Sequence, residues 1–331
     1  MQGTWTTAFD KVDLLEVKKP YAIPFPRWML NYRIKEMQSF CIQNEEIFLY
    51  AFIANFKFYC VAEVFLLDKQ TREKIQVFKV FPLSVWKMPQ SLNNSSAAFQ
   101  AFDFSFRIHA WLDSQRILLD LDIEPSFHRL NFTAQLEFDL DIQKITPMTV
   151  NVLFNENRSA YTYKGLSAVR GNIVWGNRRI SLHRRSTTGL FRDQKGFYPY
   201  ITKTMCGRGF GLDAKNRRFG FSLADNMAKE PNRNNENALW LDGTLTPLPP
   251  VRITQAITRD DEEWIIQDLE GMVDLTFKPL EPMENTFEIV LSRLKHQLPI
   301  GYFNGMLLTK DGEQLPIRNL WGSSEKLSLR I

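Results

Sequence analysis

Little in this chain points to a stapled, metal-bound or membrane-spanning protein. Three cysteines, Cys41, Cys60 and Cys206, are scattered over 331 residues. They are too few for a disulfide framework, and no CxxC spacing offers a zinc site. The four histidines, His109, His128, His183 and His296, lack ligand-like spacing, so no metal is expected. No cofactor motif stands out. GxSxG is missing, and Cys206-Gly-Arg-Gly-Phe-Gly lacks the following helix that would seat a phosphate. That stretch reads as a glycine-rich bend between strands. Scattered thiols fit a reduced, cytoplasmic compartment, and MQGTWTTAFDKVDLLEVKKP has no cationic head followed by an apolar run, so it is not a signal peptide. With 41 basic and 37 acidic residues the net charge is only +4, which does not argue for nucleic acid. The longest apolar stretch, IFLYAFIANFKFYCVAEVFLL, is interrupted by Asn55, Lys57 and Glu63. It reads as two buried strands meeting near residues 55–57, not as an integral membrane segment.

What the chain does have is phenylalanine, 26 residues of it, within 13% aromatics. Phe and Tyr favour strands and line apolar cavities. Period-2 alternation with one polar face recurs along the sequence. In residues 99–111, Phe102, Phe104, Phe106 and Ile108 oppose Asp103, Ser105, Arg107 and His109. In residues 116–123, Ile117, Leu119, Leu121 and Ile123 share a face. Residues 130–140 repeat the pattern. Residues 33–42, 74–81, 161–170, 172–175, 179–183, 189–204, 218–224, 238–241, 264–269, 273–277, 287–291, 303–308 and 313–320 read as further strands. WLDG at 240–243 and TKDG at 309–312 are hairpin signals, and residues 225–237 a long loop. Helices are expected only near Met29 and over 291–298. The fold class is all-β and antiparallel. The length suits one large or two medium β domains, and a division into residues 1–155 and 156–331 is expected.

One strand carries an acid and a base among aromatics. If residues 190–200 are extended, Phe191, Asp193, Lys195 and Phe197 share one face. Turned into a barrel, Asp193 and Lys195 would stand in apolar surroundings, with burial raising the carboxyl pKa and the ammonium lowering it. Such a carboxyl can protonate an alkene or hold a ligand hydroxyl. Turned outward, the pair is a solvated ion pair; buried without a ligand, it is structural. Glu236, Asn237 and Trp240 either close a barrel mouth or form a turn bonded to the backbone. The cluster Arg178, Arg179, His183, Arg184 and Arg185 flanks a turn and reads as a solvated edge, with an anionic ligand as the alternative.

Several segments resemble one family: RIKEMQSF at 33–40, AYTYKGLSAVRGNI at 160–173, RDQKGFYPY at 192–200, NENALWLDG at 235–243, LPPVRI at 248–253, DLEGMVDLTFKP at 268–279 and YFNGMLLTKDGEQLPIRNLWGSSEKL at 302–327. Together they resemble the family called domain of unknown function 2804 (DUF2804), over nearly the whole chain. Met205-Cys206 stands where members often carry an aromatic residue. A more distant similarity is to carotenoid hydratases and related two-domain proteins. It implies two tandem lipocalin-like (calycin-type) antiparallel barrels or half-open sheets that hold long apolar molecules. It also sets Asp193 near the acidic motif those hydratases use for proton transfer.

Three readings follow. The first is binding of a hydrophobic, lipid- or isoprenoid-like small molecule, with Phe191, Phe197, Tyr198, Glu236, Asn237 and Trp240 as contacts. The second is a hydratase, cyclase or isomerase on such a molecule, with Asp193 as general acid and Lys195 beside it. The third is a β-rich structural or interaction module with no ligand.

Overall fold

The computed structural model describes residues 4–6, 12, 14–16, 20–21, 24–82, 88–89, 91–127, 129–141, 145–257, 262–290 and 292–330. It is almost entirely β. The first sheet comprises β1 (Thr4–Trp5), β2 (Lys35–Gln43), β3 (Ile47–Asn55), β4 (Tyr59–Asp68), β5 (Lys74–Pro82), β6 (Ser95–Ala101) and β7 (Phe104–Trp111). It continues with β8 (Arg116–Ile123), β9 (Phe132–Asp139), β10 (Met148–Leu153), β11 (Ser159–Trp175), β12 (Arg178–Leu182) and β13 (Thr188–Gly196). A short helix, α1 (Arg27–Arg33), precedes β2. The second sheet comprises β14 (Ile201–Leu212), β15 (Arg218–Asp225), β16 (Ala238–Leu241), β17 (Thr244–Pro247), β18 (Val251–Ile257) and β19 (Glu262–Asp268). Its remaining strands are β20 (Val273–Glu281), β21 (Glu284–Ile289), β22 (Ser292–Gln297), β23 (Ile300–Leu308) and β24 (Gln314–Arg330).

The main path of the first sheet runs β5-β4-β3-β2-β13-β11-β9-β8-β7-β6. Its inner face is aromatic. The Phe40 ring on β2 lies 4.9 Å from Phe191 on neighbouring β13, 5.2 Å from Phe138 on β9 and 6.4 Å from Phe106 on β7. Strands β9 and β7 stand three and five places from β2 along the path, so these contacts require the sheet to curl on itself. Its two ends approach through side chains: the Phe81 and Phe99 rings lie 4.3 Å apart, and Lys79 pairs with Asp103 at 2.7 Å. The second sheet runs β17-β16-β15-β14-β24-β23-β20-β19-β18 and curls around its own apolar core. Phe221, Trp264, Phe277 and Phe303 stand at the centre of that core. These are two tandem calycin-like, antiparallel sheets.

By compactness the chain divides into one unit of Thr6–Thr149 with Tyr163–Gly196, and a second of Met1–Trp5, Val150–Thr162 and Phe197–Ile331. The segment Tyr163–Gly196, expected to open the second domain, therefore groups with the first. The reason is pairing: all nine residues of β13 are in register with β2, from Thr188 opposite Gln43 to Gly196 opposite Lys35.

Several local expectations change. Residues 99–111 form two strands, with Phe102 exposed at the turn between them and not on the inner face. Residues 189–204 also break, after Gly196, so Phe197 does not continue the face of Asp193. The helix expected over 291–298 is instead β22, with alternating burial, while Leu291 lies outside the described residues. Residues 161–175 form one continuous strand. Gly171 lets it pass β9 at φ +143°, where an added Cβ would stand 2.0 Å from the Gln135 carbonyl oxygen. The glycine-rich segment is no bend. Gly207, Gly209 and Gly211 lie within β14, and Gly207 and Gly209 leave room for core rings.

This packing predicts a graded response. An added Cβ at Gly209 would stand 2.7 Å from the Phe221 ring, and at Gly207 2.8 Å from Ile266. At Gly211 the nearest atom is 3.7 Å away. Gly207→Ala and Gly209→Ala should each lower stability by about 1–3 kcal/mol through overpacking, and Gly211→Ala by much less. Urea midpoints of the three variants check the order.

Candidate functional site

The direction of β13 is resolved by its neighbours. Phe191 packs on Phe40, and Tyr163 of β11 stands 6.1 Å from the Phe191 ring. Asp193 and Lys195 share that inner face, since side chains alternate along a strand. The exposed-pair alternative is thereby excluded: Lys195 is 5% exposed, and Arg192 and Gln194 on the opposite face are buried too.

Asp193 and Lys195 are not partners of each other. Residues two apart on a strand are separated by roughly 6.5 Å of rise, whereas residues directly opposite on the next strand have Cβ atoms about 5 Å apart. The register places Gln38 opposite Asp193 and Glu36 opposite Lys195. Gln38 Nε2 donates to Asp193 Oδ1 at 2.8 Å, and Lys195 Nζ meets Glu36 Oε1 at 2.9 Å. Lys57, at the β3–β4 turn with φ +73°, reaches the other oxygen of Glu36. Two lysines thus neutralise Glu36, and Asp193 is left with a neutral amide.

The electrostatics follow. Burial pushes the Asp193 carboxyl up to about 7; the Gln38 hydrogen bond and the Lys195 charge oppose this, and the Glu36 charge adds to it. The carboxyl therefore exchanges its proton near neutrality. Asp193 is half-buried by exposed area, with its carboxyl densely surrounded by protein. Tyr163 is held firmly as a phenol, by burial first and then by the Asp193 charge. On the other face of β2, burial lowers the Lys35 amine to about 7, helped by the charges of Arg33 and Lys57. That amine donates to the carbonyl oxygens of Phe56 and Tyr32, at 2.7 and 3.1 Å.

The other expected contacts belong to the second unit. Phe197 is buried there, and Tyr198 packs against Phe154 with ring centroids 5.3 Å apart. Glu236 accepts from Asn226 at 2.9 Å. Asn237 accepts the Ala224 amide at 2.7 Å and donates to the Pro249 carbonyl at 2.8 Å. These are turn-fixing bonds. Trp240 is fully buried, opposite Gly220 on β15. Its neighbour Leu239 faces the core of the second sheet, so Trp240 faces the opposite way.

Sequence reasoning missed Glu36, Gln38, Lys57 and Tyr163 around Asp193. It also missed a buried charged group on the second sheet's face away from its core: Arg208 pairs with Glu325, and His296 Nε2 stands 3.3 Å from Glu325. The basic cluster is mostly solvated and matched. Arg178 bridges Asp68 and Glu46 at 2.7 and 3.0 Å, and Arg184 pairs with Asp139. His183, Arg184 and Arg185 edge an open groove of about 880 Å³ that also contains Asp120 and Glu137. His128 lies outside the described residues.

The family model for the domain of unknown function DUF2804 matches residues 3–330. The chain belongs to that family. No curated protein matches the sequence. Among solved structures, CghA is similar with TM-score 0.60 at 11% identity, covering 96% of this chain and 97% of that one. CghA with Sch210972 gives 0.57 at 10%, covering 99% and 98%. Kievitone hydratase from Nectria haematococca gives 0.51 at 10%, covering 89% and 88%. At such identities the likeness concerns the fold. Among the described residues, no helix of this family member is long and apolar enough to cross a membrane.

The Asp193 environment has a signed pH signature. Folding raises its pKa from 3.8 to about 7, so the folded chain holds the proton more tightly and stability falls as pH rises between those values. Asp193→Asn removes this loss. Its stability relative to wild type should rise from pH 4 to pH 8, by a few kcal/mol at most, at about 1.4 kcal/mol per tenfold change in proton affinity. Lys35 has the opposite sign in a separate window, from about 7 to 10.5, where stability rises with pH. Urea titrations at several pH values test the difference. Glu36→Gln should cost about 3–5 kcal/mol, because it strips a buried pair of its anion.

Proposed function

We propose that the interior of the first sheet binds a hydrophobic, lipid- or isoprenoid-like molecule, with Asp193 as the polar point it meets. The carrying observation is an inward carboxyl on an aromatic wall, half-buried and neutral up to about pH 7. Apolar enclosures with a few convergent polar groups are the common form of small-molecule sites. Phe191, Phe40, Phe138 and Tyr163 would supply the apolar contact.

A second reading is favoured by the same carboxyl. A group that exchanges its proton near pH 7 is suited to general acid catalysis. In a hydratase, Asp193 would give its proton to an alkene carbon. Water would then add to the resulting cation, and a proton of that water would return to Asp193. Isomerases and cyclases would use the same first step and finish by losing a proton from carbon. Support comes from fold likeness to kievitone hydratase and to CghA with Sch210972. Lys195 would act on Asp193 only through its charge, because Glu36 holds it.

Mass spectrometry of molecules that co-purify with the protein tests both readings. An apolar compound recovered with wild type and lost with Phe191→Asp supports binding. Nothing recovered from either, with no uptake of added apolar probes, supports the ligand-free module. If Asp193→Asn accumulates a different, unsaturated compound, the enzyme reading stands; the same compound in both opposes it.

A further inference from the structure

Gln38 and Asp193 face each other across the β2–β13 ladder, and each has hydrogen-bonding capacity left over. Gln38 is 2% exposed. Its Nε2 is used on Asp193, but its Oε1 is buried with no hydrogen-bond partner. Reversing the amide does not remove the deficit: Oε1 would then take the Asp193 proton, and Nε2 would be left instead. Asp193 itself is half-buried, and its carboxyl has more hydrogen-bonding capacity than Gln38 uses. A carboxyl able to donate and a buried amide oxygen without a hydrogen-bond partner thus lie side by side at the end of the aromatic wall formed by Phe40 and Phe191.

Few ligand groups complement both. A hydroxyl donates one hydrogen bond and accepts another, so it satisfies the pair in either amide orientation. A hydrocarbon satisfies neither atom and leaves the buried amide unpaired, a penalty equivalent to about tenfold or more in affinity. A carboxylate can accept from Asp193 but has no proton to give the Gln38 oxygen. An ammonium group meets Lys195 and Lys57, both already bound to Glu36.

We propose that the occupant of the first sheet's interior is an uncharged alcohol, an apolar molecule whose hydroxyl bridges Asp193 and Gln38. This rests on the hydrophobic-binding reading above and adds the chemical class. Gln38 is the residue that distinguishes the alcohol from its hydrocarbon and its acid.

The test is displacement of the neutral fluorophore diphenylhexatriene from the full-length protein at pH 7, by 1-dodecanol, dodecane and dodecanoic acid. The expected result is displacement by the alcohol at concentrations about tenfold or more below the other two. Gln38→Met, apolar and of similar length, should keep fluorophore and dodecane binding while losing the preference. Equal displacement by all three overturns this inference and leaves hydrophobic binding intact. A preference that survives in Gln38→Met also overturns it. No uptake of the fluorophore by wild type overturns the binding reading itself, and this inference with it.

Discussion

The pairing of β2 with β13 is the contact on which the rest of the first unit depends. It joins Gln38 to Asp193 across 155 residues of sequence. It carries the β2–β5 meander onto the side of β13 away from β11 and β9, making one sheet from two runs of strands. That sheet is wide enough to curl until Phe40 meets Phe106. The pairing also fixes chemistry. Because side-chain direction has period two, a slip of one residue would send Asp193 and Lys195 to the outer face and bring Arg192 and Gln194 inside. The nine-residue register leaves no such freedom.

Given that register, the charges sort themselves by distance. Glu36 is the shared anion of Lys195 and Lys57, and Asp193, one pair further along, has only an amide opposite it. Two carboxyls that look alike in the sequence thus stand in different states. One is paired with two lysine side chains; the other faces a neutral amide, and burial raises its pKa to about 7. The same division separates the two sheets. The first carries polar groups on its aromatic inner face, whereas the second fills its interior with Phe221, Trp264, Phe277 and Phe303 and keeps Arg208, Glu325 and His296 on the other side.

Much of the architecture was legible in the sequence, because alternation is a local property. Residues 116–123 and 238–241 form strands at the expected bounds, and WLDG turns through Asp242 and Gly243, both at positive φ. Non-local matters were not legible. The partner of Lys195 lies directly opposite on β2, far away in sequence, so spacing within RDQKGF suggested Asp193 instead. The glycines of β14 looked like a bend, because a glycine that admits Phe221 or Phe303 is indistinguishable in sequence from one that turns the chain. Phe197 fits the alternation of β13, but the strand stops at Gly196 and the next residues lead into β14. Still, the segments that carry the family resemblance, RIKEMQSF, AYTYKG and RDQKGF, contain Glu36, Gln38, Tyr163, Asp193 and Lys195. Their meeting place was written in the sequence, though not how they would meet.

The separation of β2 from β13 also sets a waiting time during synthesis. At roughly 5–20 residues per second, a ribosome takes about eight to thirty seconds to cover the 155 residues from Gln38 to Asp193. Through that interval β2 can pair with β3, but its other edge has no native partner. An unpaired edge invites strands from other nascent chains, and inward charges are a known deterrent. Lys35, Glu36 and Gln38 lie along that edge. Charge at Lys35 and Glu36 thus lies on an edge that stays open until β13 is made.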